Sequence, residues 1–529
     1  MTAAVESIHT PPIHWAALVP TMVLIGGALL LLAASALSRR APAKGIYSLF
    51  TVVIALVAMG TAVPLWRDVT DTAKGPYTAV AGAISVDGFS VFLTFVILAG
   101  VVLAALLADG FLRREGMDGV ELYVLMLLSA SGGLIMASAN DLIVLFLGLE
   151  ILSIAVYVLA AMHLRKRQSQ EAGVKYFVLG AFSSAFFLYG VALVYGSTGT
   201  TNLTKIAAYV AHPNTGALTS SVTTSQLLNT PGSPALLLAG FALLLVGFAF
   251  KGAIAPFHSW APDVYQGAPS PTVAFMASVV KAAAFAGLLR VFVVAFAGYS
   301  DDWQPYVYAL AVATLLVGAV LAVVQTDVKR MLAYSSINHA GFILLGVVAA
   351  DKGVSSALFY LAAYTFMVAG SFGVVTVLSK RGDVATSLDD YGGLAKREPL
   401  LAFVFAIFLF AQAGVPLTSG FFAKFYVLQS AVDAGYWHLA LVAMLSAVIS
   451  AFLYLRIVVA MYMGGAGDED DEAAAATEPI RRVTIPFGAK LALGLAFVAT
   501  LLIGFLPGPL ASSSKDATPA ATAASARAR

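Results

Sequence analysis

The sequence predicts an all-α polytopic membrane protein with about 14 transmembrane helices. Its 529 residues are 60% hydrophobic and only 11% charged, a composition that excludes an ordinary soluble domain. Long apolar segments recur along most of the chain, and each matches the roughly 20 residues that a helix needs to cross a bilayer core. Two segments are too long for one straight crossing and contain Pro or Gly, which indicates broken helices.

The predicted spans are joined mostly by short polar connections. The seventh contains Pro256 and Pro262, and the twelfth contains GVPLTSG at 414–420, so both are predicted to break within the membrane. The predicted spans are 15–37, 46–66, 86–108, 121–139, 141–162, 170–195, 235–266, 270–294, 303–324, 328–349, 354–379, 399–434, 437–463 and 488–508.

The two broken helices indicate an internal repeat. Each is fourth in a five-helix block, one formed by spans 4–8 and the other by spans 9–13. An odd number of crossings separates the blocks, as an inverted repeat requires. The predicted organisation is a three-helix segment at 1–120, the repeats at 121–296 and 297–463, an acidic loop with the last helix at 464–510, and a disordered tail at 511–529.

The connections predict the orientation of the chain. Basic residues favour the inner side of a membrane, and most basic residues in the connections fall on one side. Assigning that side as the inner one places both termini outside. We therefore expect a multi-pass membrane protein with both termini on the outer side. Residues 197–234 are expected to form an outer loop, 467–479 an acidic mobile inner loop, and the chain from Ala511 a disordered tail.

Composition also excludes several kinds of function. The 30 Lys and Arg residues nearly balance the 28 Asp and Glu residues, so the chain has no nucleic-acid footprint. It contains no cysteine, which rules out disulfides and thiolate-bound iron–sulfur clusters. No phosphate-cradling Gly-rich loop is present. Any electron transfer linked to this protein is therefore expected in other chains.

Five titratable side chains lie at comparable depth inside the predicted spans. A charge in hydrocarbon is expensive, and such residues usually mark an ion or proton path. A buried lysine holds its proton less tightly, and a nearby carboxylate restores that affinity, so a glutamate–lysine pair of adjustable separation is a proton switch. The predicted proton-transfer residues are Glu150, Lys175, Lys251, Lys281 and Lys424.

Polar neighbours are candidates to carry protons between these groups, either directly or through water. The relay candidates are His258, His339, Tyr334 and Ser335. Structural interpretations stay open at this stage. Lys175 is also suited to reach the membrane surface, Lys281 to be a fixed counter-ion of Glu150, and the two histidines to hold broken or packed backbone.

Three motifs carry a family resemblance. The sequences KGAIAPFHSWAPDVYQGAPSPTVAFMASVVKAAAFAGLLR at 251–290, TDVKRMLAYSSINHAGF at 326–342 and YGGL…P at 391–399 resemble the antiporter-like subunits of respiratory complex I and their multisubunit cation/proton antiporter relatives. Within that family, Lys424 and an ending after span fourteen resemble the N type. Lys175 together with Lys281 fits that type as well.

The resemblance implies a proton-translocating module that couples NADH:quinone electron transfer in other subunits to proton pumping. It also implies a location in a bacterial inner (plasma) membrane. It maps the family's proton-transfer residues to Glu150, Lys251, Lys281 and Lys424, with Lys175 as the additional lysine of the N type. This chain is expected to hold no cofactor or metal. NADH, FMN, iron–sulfur clusters and quinone are expected in partner subunits, with subunits M, K and J and membrane lipid as neighbours.

Two other functions remain open from the sequence. A subunit of a multisubunit sodium/proton antiporter would share the same motifs. A structural membrane scaffold would use the buried charges only to fix helix packing.

Overall fold

The computed structural model describes residues 13–38, 45–117, 119–211, 234–463 and 484–519. Thirteen helices in these ranges are long and apolar enough to cross a membrane. The shorter apolar helix Pro399–Ala413 is followed by the helix Ser419–Asp433, and the two together cover the predicted span at 399–434. The expected all-α membrane fold is confirmed. The acidic segment 467–479 lies outside the described residues.

The first helices form an N-terminal group with one small sheet. The antiparallel strands pair Tyr77 with Val86 and Ala79 with Ile84, a hairpin that the sequence did not predict. Asp87 caps the third helix by accepting a hydrogen bond from the Ser90 N–H. The elements are α1 (Trp15–Leu37), α2 (Ile46–Thr70), β1 (Tyr77–Ala79), β2 (Ile84–Val86) and α3 (Gly88–Glu115).

The first five-helix block contains the predicted break in its fourth helix. The helical chain stops after Gly252 and resumes at Trp260, so Pro256 and His258 lie in the break. Its elements are α4 (Val120–Ser138), α5 (Leu142–Ala160), α6 (Arg167–Thr198), α7 (Leu203–Ala211), α8 (Pro234–Gly252), α9 (Trp260–Gly267), α10 (Ser270–Phe275), a π-helical turn (Met276–Val280), α11 (Lys281–Leu289) and a second π-helical segment (Arg290–Ala295).

The second block repeats this pattern. Its fourth helix breaks between Ala413 and Ser419, within the predicted GVPLTSG sequence. Its elements are a 3₁₀ turn (Ala297–Tyr299), α12 (Ser300–Val323), α13 (Val328–Val348), a 3₁₀ turn (Ala350–Lys352), α14 (Val354–Leu378), a 3₁₀ turn (Leu388–Tyr391), α15 (Leu394–Arg397), α16 (Pro399–Ala413), α17 (Ser419–Asp433) and α18 (Trp437–Met463). The chain continues with α19 (Phe487–Phe505) and α20 (Gly508–Asp516).

Equivalent hydrogen bonds support the relationship between the two blocks. Asp141 precedes α5 and accepts a hydrogen bond from the Thr201 hydroxyl at 2.6 Å, after α6. Asp327 precedes α13 and accepts one from the Thr386 hydroxyl at 2.5 Å, after α14. Each aspartate therefore joins the start of the second helix of its block to the end of the third.

Two expectations about soluble segments are wrong in part. Residues 197–234 were expected to form a loop, but α7 occupies 203–211 and buries Leu203 and Ile206, because its apolar residues recur at helical spacing. The chain from Ala511 was expected to be disordered, but α20 extends to Asp516. Its end packs against Gly88 and buries Ala517 completely.

Candidate functional site

Lys251 lies at the end of α8, directly before the break, and is only 4% exposed. Its ammonium donates a hydrogen bond to the Tyr157 hydroxyl at 3.2 Å. It also lies 4.7 Å from the centre of the Tyr157 ring and 4.9 Å from that of Tyr176. The cation is thus held by ring faces and a neutral hydroxyl, which stabilise a desolvated ammonium without a counter-ion.

Glu150 shares α5 with Tyr157 but makes no ion pair with Lys251 within the described chain. It is half-buried, and its Oε1 atom is buried without a hydrogen-bond partner. The carboxylate is near enough to interact electrostatically with both Lys251 and Tyr157. Glu150 and Lys251 are therefore neighbours without a direct contact, and a tyrosine lies beside the lysine.

Lys281 follows the π-helical turn Met276–Val280 and is 2% exposed. Its ammonium donates to the Ser336 hydroxyl at 2.6 Å and to the Ser336 backbone carbonyl. The Tyr364 hydroxyl donates to the same serine at 2.9 Å. A π-helical turn changes the direction of the side chains that follow it, and such turns are frequent at functional sites.

Polar residues of α13 extend this cluster toward α18. His339 is 1% exposed, with Nδ1 2.6 Å from the Tyr360 hydroxyl and Nε2 3.2 Å from the Tyr454 hydroxyl. The Tyr454 hydroxyl lies 2.6 Å from that of Ser335. The Ser335 hydroxyl donates to Gln412 Oε1 at 3.1 Å. These contacts form a hydrogen-bonded chain through the buried core.

Lys424 lies near the Gln412 end of this hydrogen-bonded chain. It is 6% exposed, and its ammonium donates to the backbone carbonyl of Ala413 at 2.8 Å, at the end of α16. It also lies 4.8 Å from the centre of the Phe342 ring. Because Ala413 follows Gln412 directly, the broken helix connects Lys424 to the hydrogen-bonded chain that contains His339.

The remaining predicted residues lie apart from these clusters. The side chain of Lys175 is 41% exposed and forms 2.8 Å ion pairs with Glu171 and Asp263. His258 lies in the break of the seventh span, and its buried Nδ1 atom has no partner in the described part of the chain. Tyr334 interacts with Arg330, one turn earlier on α13. The structure does not bring these three residues into the buried lysine clusters.

Several contributors were missed by sequence reasoning. Tyr157 and Tyr176 surround Lys251, and Ser336 binds Lys281. Gln412 and Tyr454 join His339 and Ser335 to the broken helix. Gln412 was detectable as a polar residue in an apolar span, whereas the tyrosines look like ordinary packing residues in a hydrophobic sequence.

The described residues contain no group of three or more His, Cys, Asp or Glu side chains arranged to hold a metal ion. The buried clusters consist of ammonium, imidazole, hydroxyl and amide groups. Groups of these kinds can take up, release or pass protons.

Comparison with known proteins identifies the family. The family described as "NADH:quinone oxidoreductase/Mrp antiporter, TM" matches residues 139–450. The chain belongs to this family. The matched region contains both broken helices and the four buried or half-buried groups Glu150, Lys251, Lys281 and Lys424, so the family and the candidate site coincide in the sequence.

Relatives within the family are similar over nearly the whole chain. The chain is 40% identical to NADH-quinone oxidoreductase subunit N 2 of Roseiflexus castenholzii, covering 95% of this chain and 96% of that protein. It matches a chain of respiratory complex I from Thermus thermophilus with a TM-score of 0.74 and 31% identity, covering 93% and 98% of the two chains. The resemblance seen in the sequence is confirmed.

A chain of the archaeal membrane-bound sulfane sulfur reductase matches with a TM-score of 0.80 and 27% identity, covering 95% of this chain and 97% of that one. The family fold therefore occurs in more than one respiratory membrane complex. The protein described here is a multi-pass membrane protein of that family.

Proposed function

We propose that this chain is a proton-translocating subunit of an NADH:quinone oxidoreductase, with Glu150, Lys251, Lys281 and Lys424 as its proton-transfer residues. The observation that carries the proposal is the state of the three lysines. All are at most 6% exposed, and none has a carboxylate within ion-pair distance in the described chain. A scaffold would gain little from buried ammonium groups without counter-ions, because each is expensive to desolvate.

The proposed proton path has two parts. In the first block, the electrostatic interaction between Glu150 and Lys251 strengthens or weakens as the separation between them changes, while Tyr157 holds the charged lysine. The second part joins Lys281, in the first block, to Lys424, in the second block, through Ser336, His339, Tyr454, Ser335 and Gln412, with water filling the remaining gaps. His258, in the break of the seventh span, and Tyr334, beside Arg330 on α13, are proposed as further relay groups.

Lys175 is proposed as the surface-facing member of the set. Its ion pairs with Glu171 and Asp263 place it beside the second half of the broken helix, α9. A half-exposed lysine there is suited to collect or release protons at the membrane surface.

Electron transfer is assigned to other subunits. The chain has no cysteine, so it cannot bind an iron–sulfur cluster through thiolates. We propose that NADH, FMN, iron–sulfur clusters and quinone are bound by partners, and that subunits M, K and J are the neighbours. Exposed apolar residues such as Ile154 on α5 and Val448 on α18 provide surfaces for these subunits or for lipid. The proposed location is a bacterial plasma membrane, with both termini on the outer side.

Lysine substitution in the assembled complex tests the proposal. We expect Lys251→Met, Lys281→Met or Lys424→Met to reduce NADH-driven proton pumping several-fold or more while the subunits still copurify. Lys490→Met is the matched control, because Lys490 is an exposed lysine at the start of α19. Unchanged pumping in all three variants would favour a scaffold. Copurification without any NADH-oxidising subunit would favour a sodium/proton antiporter.

A further inference from the structure

A cavity of about 560 Å³ opens between the α5–α6 connection and the segment that follows α14. Its volume lies within the range of about 300–1,000 Å³ that is typical of ligand pockets. Arg165, Arg167 and Arg381 contribute to its wall. This cavity lies apart from the buried lysine clusters and has no role in the proposed proton path.

The carboxylates that line the same cavity are already engaged. Glu115 accepts a hydrogen bond from the Gly382 N–H at 2.8 Å and lies 3.1 Å from His163 Nε2. Glu171 pairs with Lys175 at 2.8 Å. The three arginines, by contrast, form no ion pair with any carboxylate in the described ranges of the chain. The cavity therefore presents uncompensated positive charge.

His163 provides a second, independent observation. Its side chain lines the cavity and is only 5% exposed, and its Nδ1 atom is buried without a partner in the described part of the chain. Buried ring nitrogens normally have a hydrogen-bond partner. The Glu115 carboxylate lies against Nε2 of the same ring, so Nδ1 is the ring nitrogen left for a further hydrogen-bond partner.

The walls of the cavity are fixed in place. Lys166 donates to the Asp383 backbone carbonyl at 2.9 Å, which ties the two connections together. The Asp383 side chain accepts hydrogen bonds from Lys329 at 2.8 Å and from Ser270 at 2.7 Å. A preformed cavity loses little conformational entropy when a ligand binds.

We propose that this cavity binds the phosphate of an anionic phospholipid headgroup. Arginine is well matched to phosphate because its planar donors form paired hydrogen bonds with the oxygens. Basic pockets between transmembrane helices are known to take anionic lipid headgroups. The surroundings favour a lipid over a soluble phosphate, since Val384 in the wall is 49% exposed, Leu164 next to Arg165 is 77% exposed, and Val174 and Phe177 are exposed on α6.

Photo-crosslinking of the assembled complex tests this site. Purified, delipidated complex is incubated with photoreactive phosphatidylglycerol, and labelled peptides are quantified by mass spectrometry. We expect labelling of residues 160–172 and 380–386. The combined variant R165Q/R167Q/R381Q is expected to reduce it by at least about tenfold, because three charge-assisted contacts are lost. K490Q, which replaces an exposed lysine outside the cavity, is expected to be labelled like the unmodified protein.

Three outcomes would overturn the proposal. One is unchanged labelling in the triple variant or, if that variant does not assemble, in R381Q alone. Another is equal labelling by photoreactive phosphatidylcholine, which would show that charge is not recognised. The third is an absence of lipid labelling together with protection of the cavity arginines by inorganic phosphate or by a partner subunit. Proton pumping is not the readout, so failure here is distinct from failure of the proposed function.

Discussion

The Lys251 ammonium lies 3.2 Å from the Tyr157 hydroxyl and 4.7 Å from the centre of the same ring. One tyrosine therefore both accepts a hydrogen bond from the cation and faces it with π electrons. Tyr176 adds a second ring face at 4.9 Å. A neutral cage of this kind stabilises the charged lysine but leaves no bare carboxylate behind when the proton departs.

Removal of the Tyr157 hydroxyl is expected to slow proton transfer while preserving packing. Tyr157→Phe keeps the ring but removes a hydrogen bond to a charged group, which is worth about 2 kcal/mol. The charged form of Lys251 then becomes less populated. We expect NADH-driven pumping to fall several-fold, with subunit composition and thermal stability of the complex nearly unchanged. Pumping at the normal rate would show that the hydroxyl has no role.

Gly180 on α6 allows Tyr157 to occupy this position. A Cβ atom at residue 180 would collide with the Tyr157 hydroxyl and ring. We expect Gly180→Ala to displace the tyrosine from Lys251 and to lower pumping at least as much as Tyr157→Phe. Gly196→Ala is the matched control on the same helix, because a Cβ there meets nothing within 4 Å. Equal effects of the two substitutions would contradict this explanation.

The sequence was sufficient to predict the class of fold and the breaks. Length and apolar composition decide where helices cross a membrane, and Pro256 and the GVPLTSG sequence interrupt them for local reasons. The hairpin Tyr77–Val86 was missed because each strand has only three residues, too few for a period-two pattern to stand out. The helix α20 was missed because its stability comes from docking against Gly88.

The buried lysines were predictable because a charge in an apolar span is conspicuous. Their surroundings were not, because hydroxyl partners come from distant parts of the chain. Tyr454 lies 115 positions from His339, and its aromatic ring suits a packing role equally well. Lys329 follows a polar connection at the start of a span, yet it is fully buried and paired with Asp383 at 2.8 Å. Such pairings are decided by tertiary packing, which local patterns do not encode.

Tyr454 connects two polar residues that would otherwise be separate. Its hydroxyl lies 3.2 Å from His339 Nε2 and 2.6 Å from the Ser335 hydroxyl. We expect Tyr454→Phe to interrupt this hydrogen-bonded chain and to lower proton pumping several-fold, because the hydroxyl that bridges the two residues is lost. Solvent isotope effects on pumping are expected to change as well, since proton transfer across the gap becomes slower.

Tyr436→Phe is the matched control for that experiment. The Tyr436 hydroxyl also makes a side-chain hydrogen bond, to Gln304 at 3.0 Å, but it lies outside the buried cluster. Its loss is expected to leave pumping and isotope effects unchanged. If both tyrosine variants behave alike, the effect reflects general loss of a hydrogen bond and the hydrogen-bonded chain has no transport role.

Lys166 is expected to react unusually fast with acylating reagents. Burial, reinforced by the nearby Lys329 cation, lowers the pKa of Lys166 from 10.5 to about 8. Near pH 8 about half of its amine is therefore neutral and nucleophilic, whereas an ordinary lysine is almost entirely charged. We expect half-maximal initial labelling near pH 8, measured by peptide mass spectrometry on the folded complex. A midpoint above about pH 10 would contradict the assignment.

The carboxylate of Asp383 opposes this shift, which gives the same experiment a directional test. The Asp383 carboxylate attracts the Lys166 cation, so it raises the pKa of Lys166 against the effect of burial. Asp383→Asn is therefore expected to move the labelling midpoint below 8, and the exposed Asp389→Asn on the same connection is expected to leave it in place. Because the unfolded chain keeps the lysine proton up to about pH 10.5, folding stability should rise with pH between about 8 and 10.5. Thermal unfolding across that interval should show this rise in the unmodified protein and lose much of it in Lys166→Met, which has no amine to titrate.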